Sequence, residues 1–191
     1  MPQPMKDETP TLERERLKAL VHYICDRVPN PNKWGSVKMN KALFYTDQSA
    51  YVKLGEPVTG ETYVKDRMGP VSAHLQEVVS ELVDEGRIAI RRVQKIGANG
   101  RPYEHHLYFA TDTPDVSAFS GPEIAIVNEV VDVISNRYTA ASISEHSHDL
   151  VYELAESGEV IPYYTAFSFL LSKPSDEGLD WAARSLARRS A

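Results

Sequence analysis

Residues 70–110 read PVSAHLQEVVSELVDEGRIAIRRVQKIGANGRPYEHHLYFA, and they decide the class of fold. In the first part, apolar residues recur at helical spacing behind Pro70, which suits a first helical position, and Gly86 can end the helix. The stripe consists of Val71, Leu75, Val78, Val79 and Leu82. In the second part, RIAIRRV and YEHHLYFA alternate, and GANGRP between them has the glycine and asparagine of a reversing turn. The stretch therefore predicts a helix followed by an antiparallel β-hairpin.

Helical periodicity also marks the sequence on both sides of this stretch. Ser36 can cap a helix that Gly55 ends, and its polar side carries Lys38 and Lys41. Residues 56–70, EPVTGETYVKDRMGP, are too rich in glycine and proline for a helix, so we expect an ordered connecting loop in which TYVK could form a short strand. Beyond the hairpin, Ser120 and Glu123 have capping-box spacing before another helix.

These elements predict a mainly α protein of the α+β class, a single compact helical domain with a small antiparallel β-hairpin. The length of 191 residues suits one domain, and the sequence has no internal repeat. We divide the chain into a flexible N-terminal leader at 1–10, the domain at 11–173 and a C-terminal helix at 174–191.

Composition restricts the class of function. Hydrophobic residues make up 42% and charged residues 25%, as in ordinary globular proteins. The net charge of -6 argues against nucleic-acid binding through the whole surface. The sequence starts without the pattern of a signal peptide and has no run of about 18 apolar residues, so we expect a cytoplasmic protein without a membrane segment.

Residues 142–149, SISEHSHD, look like a miniature active site. Ser142 and Glu145, however, repeat the capping-box spacing, which indicates the start of a helix. In a regular helix His146 and His148 point about 200° apart and cannot chelate one metal ion. We therefore expect no metal site and no cofactor.

The sequence offers no positive case for catalysis. Cys25, the single cysteine, lies on an apolar helical stripe, where a buried hydrophobic role is more frequent than a nucleophilic one. No nucleophile elbow, phosphate-binding loop or dinucleotide fingerprint is present. We expect a protein that is not an enzyme.

A helix followed by a hairpin is also the pattern of a winged-helix DNA-binding module. Basic residues would give this wing a positive charge: Arg87, Arg91, Arg92, Lys95 and Arg101. The preceding helix carries Glu77, Glu81, Asp84 and Glu85, which would repel phosphate. A DNA-binding transcriptional regulator therefore stands as the alternative hypothesis, with nucleic acid the less favoured partner.

Several motifs resemble the Panacea domain of the SocA-like antitoxin family. That family has a helix of the form K-L-x-K-L-L-Y-F, a G-x-P turn, a Gly-Pro pair and a Ser-His pair followed by tryptophan. The matching residues here are Lys38, Met39, Lys41, Leu43, Phe44 and Tyr45 for the helix, Gly55 and Pro57 for the turn, Gly69 and Pro70, and Ser147 and His148. Tyr152 stands where the tryptophan is usual. The resemblance extends over roughly residues 15 to 170.

The resemblance implies a non-catalytic antitoxin that neutralises a cognate protein toxin by direct binding. It also implies a neighbouring toxin gene, frequent occurrence in prophages and, for some members, delivery of the toxin to a cellular protease. An acidic partner surface would suit a basic patch, for which the candidates are Lys38, Lys41, Tyr45, Lys65 and Arg67. We expect structural roles for the other motif residues, which are Gly55, Pro57, Gly69, Pro70, Ser147, His148 and Tyr152.

Overall fold

The computed structural model describes residues 10–97, 100–167 and 176–189. The helices are α1 Arg14–Arg27, α2 Ser36–Leu54, α3 Leu75–Asp84, α4 Gly121–Arg137, α5 Ala140–His146, α6 Leu150–Leu154 and α7 Asp176–Arg189, with 3₁₀ turns at Pro31–Lys33 and Tyr163–Ala166. The strands are β1 Tyr63–Asp66, β2 Gly69–Ser72, β3 Ile88–Ile96 and β4 Pro102–Ala110. The predicted class, mainly α with a smaller antiparallel β part, is confirmed.

Helix α2 lies at the centre of the molecule and contacts α1, α4, α5, β2 and the second 3₁₀ turn. The apolar side chains of Met39, Leu43 and Ala50 are buried on one side of this helix. The opposite side is buried as well, because other elements cover it. Gly55 ends the helix with a φ of 90° in the left-handed region, as its position predicted. Pro57 follows, half-buried, in the connection to β1.

The predicted hairpin is confirmed as β3 and β4, which pair from Ile88 opposite Ala110 to Ile96 opposite Pro102. Helix α3 packs on α1 and β3 through an apolar stripe at Leu75, Val78, Val79 and Leu82. The predicted start of this helix at Pro70 is wrong. Pro70 and Val71 belong to β2, and the helix begins five residues after Pro70, at Leu75.

A second hairpin joins β1 to β2, where we expected a connecting loop. The strands pair from Tyr63 opposite Ser72 to Asp66 opposite Gly69. Gly69 has a φ of 92°, which lets the chain reverse over the two residues before it. The outer edge of β1 is covered by residues 158–161, since Ile161 N donates to Tyr63 O at 2.8 Å. This hairpin is therefore held on the body of the protein.

The capping box before α4 is confirmed, with Ser120 N donating to Glu123 Oε2 at 2.7 Å. The interpretation of SISEHSHD as one helix start is wrong. Helix α5 begins earlier, at Ala140, where Thr139 and Ser142 form the capping box, and it ends at His146. Asp149 then caps α6 by accepting from Tyr152 N at 3.0 Å. The octapeptide thus spans one helix end and the next helix start.

The C-terminal helix expected at 174–191 is described as α7, Asp176–Arg189. It contacts α6 and the second 3₁₀ turn, and Trp181 is buried. Arg188 reaches back to Glu159, with 2.6 Å between the guanidinium and the carboxylate. Residues 1–9 of the expected leader lie outside the described residues. Within the described residues, no helix is both long and apolar enough to cross a membrane.

Candidate functional site

Two lysines expected on an exposed basic patch are buried. Lys38 is 4% exposed; its amine lies over the Trp34 ring and donates to Ile134 O at 3.3 Å. Lys41 is 1% exposed and donates to Pro70 O at 2.7 Å. Neighbouring elements cover both sides of α2, so the polar stripe is not a solvated face. These two side chains do not form part of an exposed patch.

The other three patch candidates lie in different surroundings. Tyr45 is mostly buried beside Phe44, and burial raises the pKa of its phenol. Lys65 donates to Ala155 O at 3.0 Å and lies 4.3 Å from the centre of the Tyr152 ring. Arg67 is exposed at the tip of the β1–β2 hairpin. Of the five candidates, Arg67 is the one that is exposed.

The family motifs, which are distant in sequence, meet around Gly69. A side chain on Gly69 would start 2.2 Å from Ser147 Oγ and 2.5 Å from Lys41 Nζ. Lys41 comes from the middle of α2, Ser147 caps α5 at its C-terminus, and Pro70 follows Gly69 in β2. We call Lys41, Gly69, Pro70, Ser147, His148 and Tyr152 the motif cluster. A residue larger than glycine at position 69 would therefore require the Ser147 or Lys41 side chain to move.

The motif cluster holds the turn between β1 and β2 against α5 and α6. Ser144 Oγ donates to Met68 O at 2.9 Å, and Tyr152 OH donates to Asp66 O at 2.9 Å. Ser147 Oγ is committed to Ser144 O at 2.7 Å. The His148 ring stacks on Tyr152, and its buried Nε2 lacks a hydrogen-bond partner within the described part of the chain. Structural roles therefore account for these contacts.

Burial lowers the pKa of the Lys41 amine to about 7, and the negative charge of Asp66 partly opposes this shift. The amine has one backbone acceptor at hydrogen-bonding distance, Pro70 O, although an ammonium group offers three protons. Lys41 thus keeps hydrogen-bonding capacity at a site shielded from water. The Lys41 amine can donate a further hydrogen bond to an acceptor that a bound molecule brings.

A half-open groove of about 900 Å³ adjoins Lys41. The N-terminal half of α2 contributes Val37 and Lys41, and the β1–β2 hairpin contributes Met68 and Val71. Helix α3 and one face of the β3–β4 hairpin form the facing walls. Much of the lining is aliphatic, and charged groups stand at Lys41, Asp66, Glu77 and Arg92. About half of the lining residues are polar or charged, and a concave surface of this size is a common place for binding.

Two buried carboxylates form a polar network that the sequence did not reveal. Asp47, on α2, is fully buried and accepts from Thr59 N, Thr59 Oγ1 and Tyr63 OH at 2.8, 2.6 and 2.8 Å. Burial raises the pKa of the Asp47 carboxyl, and these hydrogen bonds oppose the rise. Glu61, also fully buried, accepts from His74 Nδ1 and Ser72 Oγ, each at 2.8 Å.

This network joins the β1–β2 hairpin to α2 and to the start of α3. Tyr163 completes it by donating to Glu61 O at 2.5 Å. The carboxylate oxygens are occupied by internal donors, which indicates a structural role. No spacing in the sequence marks these residues, because they come from four different elements.

The residues that raised the question of catalysis have ordinary surroundings. His146 lies beside Tyr138, with ring centres 5.1 Å apart, whereas His148 stacks on Tyr152. Across the described ranges, no group of three or more His, Cys, Asp or Glu side chains could hold a metal ion. Cys25 is 3% exposed, and burial raises the pKa of its thiol to about 12.

The β3–β4 hairpin, which the alternative hypothesis takes as a DNA-binding wing, contacts α1, α2, α3 and the first 3₁₀ turn. Arg91 lies 5.1 Å from the centre of the Phe109 ring and contacts Asn32, while Arg87 pairs with Asp112 at 3.1 Å. Helix α3 uses its acidic residues to pair with α1, for example Glu77 with Arg14 at 3.2 Å. These contacts do not favour a recognition helix and a DNA-binding wing.

Comparison with known proteins gives one match. Residues 39–151 match the family described as Antitoxin SocA-like, Panacea domain. No curated protein and no solved structure matches the chain. The matched region spans more than half of the chain and contains most of the groove lining and every member of the motif cluster except Tyr152, which follows its last residue. The chain therefore belongs to the SocA-like antitoxin family, as a protein with a Panacea domain.

Proposed function

We propose that this protein is an antitoxin that neutralises a cognate protein toxin by binding it, without catalysing a reaction. Family membership over residues 39–151 carries this proposal. The groove beside the motif cluster supports it, because a partner could bury apolar surface there. The motif cluster is committed to internal contacts, which suits a scaffold for binding. In this role the protein occludes its toxin stoichiometrically.

The test is co-expression with the product of the adjacent gene. Induction of that gene alone should arrest growth, and co-expression of this chain should restore it. The two proteins should also co-purify as a complex of fixed stoichiometry on size-exclusion chromatography with light scattering. A toxic neighbour that is neither rescued nor bound would overturn the proposal.

The same cells distinguish occlusion from delivery to a protease. If the antitoxin occludes the toxin, rescued cells should keep the toxin at a normal level in a pulse-chase experiment. If it delivers the toxin to a protease, the toxin should disappear faster in the presence of this chain. We propose occlusion, since the groove offers a surface for stable binding.

A further inference from the structure

We propose that the outer end of the β3–β4 hairpin inserts into a cleft of the partner protein that has an apolar floor and an acidic rim. This hairpin end consists of residues 94–97 and 100–104. The inference rests on the proposed function and names a surface through which the antitoxin contacts its partner. That surface is separate from the groove, whose lining reaches only as far as Arg92 and His106 on the two strands.

The hairpin end extends away from the body of the protein. Each of its residues is exposed except Gly97, which is half-buried, whereas the inner part of the hairpin buries Ile88, Leu107 and Tyr108. Successive side chains of a strand point to opposite faces, so exposure of consecutive residues means that both faces are uncovered. Two strands lie about 4.8 Å apart, and a ribbon of this width is a convex, narrow element that fits a concave surface.

Apolar side chains are concentrated at this end of the hairpin. Ile96 is 70% exposed, the largest value among the large apolar residues that the structure describes. Pro102 lies directly opposite Ile96, and Tyr103, 47% exposed, follows it in β4. A two-stranded ribbon with both faces in water has marginal stability by itself, so these side chains contribute little to the fold. Contact with an apolar floor would remove them from water, which favours association.

The charge of the hairpin differs from that of the whole chain. Residues 91–104 carry four basic side chains and one acidic one, whereas the chain has 21 Lys and Arg against 27 Asp and Glu. The acidic residue, Glu104, lies 3.7 Å from Arg92 and offsets one of the positive charges. The outer half of the hairpin therefore remains positive on an acidic protein. A partner cleft with an acidic rim would complement this charge.

Nucleic acid is the other class of partner that a positive charge attracts, and a two-stranded ribbon fits the major groove of DNA. The side chain of Ile96, however, has no hydrogen-bonding group for a base edge or a phosphate, and neither has that of Pro102. Glu104 lies on the same face of the hairpin as these two residues and would repel phosphate. This face therefore favours a protein cleft.

The apolar contact is tested with two pairs of variants. Ile96→Glu is compared with Leu179→Glu on α7, where the leucine is 52% exposed, and Tyr103→Ser with Leu54→Ser at the end of α2, where the leucine is 43% exposed. Calorimetry measures the affinity for the purified product of the adjacent gene, and circular dichroism measures folding. We expect the two hairpin variants to weaken binding on the order of tenfold or more and the two controls to leave it unchanged. Equal affinities within both pairs would overturn the hairpin end as the contact surface.

The acidic rim is tested with Lys95→Glu and with Lys53→Glu, a control on α2 whose lysine side chain is 51% exposed. Stopped-flow experiments at several salt concentrations measure the association rate. Exposed charges act mainly on this rate, so Lys95→Glu should slow association on the order of tenfold at low salt and reduce its salt dependence. Lys53→Glu should change neither quantity. The same salt dependence in the two variants would overturn the acidic rim.

A titration with duplex DNA and with single-stranded RNA, followed by fluorescence anisotropy, tests the other class of partner. We expect no binding that depends on Lys95. Nucleic-acid binding that Lys95→Glu abolishes, together with unaltered protein binding by the hairpin variants, would overturn the proposal. Failure of the unaltered chain to bind the product of the adjacent gene would instead overturn the proposed function itself.

Discussion

The rings of His148 and Tyr152 are stacked face to face, with their centres 4.1 Å apart and their planes 2° from parallel. Tyr152 in turn anchors the β1–β2 turn through its hydroxyl group, and the Lys65 amine lies 4.3 Å from the centre of its ring. The Ser-His pair of the family motif thus supports an aromatic residue four positions later. That aromatic residue holds the hairpin that borders the groove.

We expect His148→Phe to retain the stability of the native protein and His148→Ala to lower it. Phenylalanine keeps the stacking and removes a buried ring nitrogen without a hydrogen-bond partner, so its free energy of unfolding should stay within about 0.5 kcal/mol. Alanine loses the stacked pair, at a cost of about 1–2 kcal/mol. Urea denaturation measures both values. If His148 instead faces the toxin, His148→Phe will abolish growth rescue while the protein remains stable.

Replacement of Gly69 should be far more costly than replacement of Gly55, although both glycines have a φ near 90°. Gly55→Ala meets no atom within 4 Å and should cost about 1 kcal/mol from backbone strain alone. Gly69→Ala adds the overlap with Ser147 and Lys41, and we expect about 3 kcal/mol or more. The free energy of unfolding of each variant is measured by denaturant titration, and the difference between the two values gives the cost of the overlap. Similar losses of stability in the two variants would mean that the Ser147 and Lys41 side chains move aside at little cost.

Much of the fold could be predicted from local patterns. The capping box at Ser120, the left-handed stop at Gly55 and the alternation of β3 and β4 are each encoded within a few residues, and each is confirmed. Local patterns gave a wrong prediction where tertiary contacts determine the secondary structure. Pro70 suits the first turn of a helix, but the left-handed Gly69 and pairing with Lys65 place it in a strand.

The candidate site was less predictable for a related reason. Periodicity separates polar from apolar positions, but it does not tell how many sides of a helix are covered. Lys38 and Lys41 lie on a polar stripe that α4, α5 and β2 nevertheless bury. The family motif identified the members of the motif cluster, and only the fold shows that they meet at Gly69.

Lys41 should make stability depend on pH. Burial lowers the pKa of its amine from 10.5 to about 7, so above pH 7 the unfolded chain holds a proton that the folded protein has lost. The free energy of unfolding therefore rises with pH in this window, by about 1.5 kcal/mol from pH 7.0 to 8.5. Lys41→Met should lack this rise. The free energy of unfolding of the unaltered protein and of Lys41→Met is measured by urea titration at each pH. If the two values change with pH in parallel, the shifted pKa of Lys41 is contradicted.

Asp47 should be among the most sensitive positions for stability. Asp47→Ala would leave both donors of Thr59 and the hydroxyl group of Tyr63 without their acceptor in the core, and we expect a loss of about 3–5 kcal/mol. Asp132→Ala is the control, because its pair with Arg27 at 3.0 Å is 49% exposed on the Asp132 side. That change should cost less than about 1 kcal/mol. Equal losses in thermal or urea unfolding would show that the network contributes little.

Cys25 should serve as an internal reporter of unfolding. The thiol is 3% exposed on α1, and burial raises its pKa to about 12, so neither access nor ionisation favours its reaction in the folded protein. At pH 8 we expect a disulfide reagent to label Cys25 on the order of 10³-fold more slowly than in concentrated guanidinium chloride. Because labelling then requires unfolding, Gly69→Ala should accelerate it and Gly55→Ala should do so less. Rapid labelling of the native protein, unaffected by either change, would instead indicate local opening of α1 independent of the motif cluster.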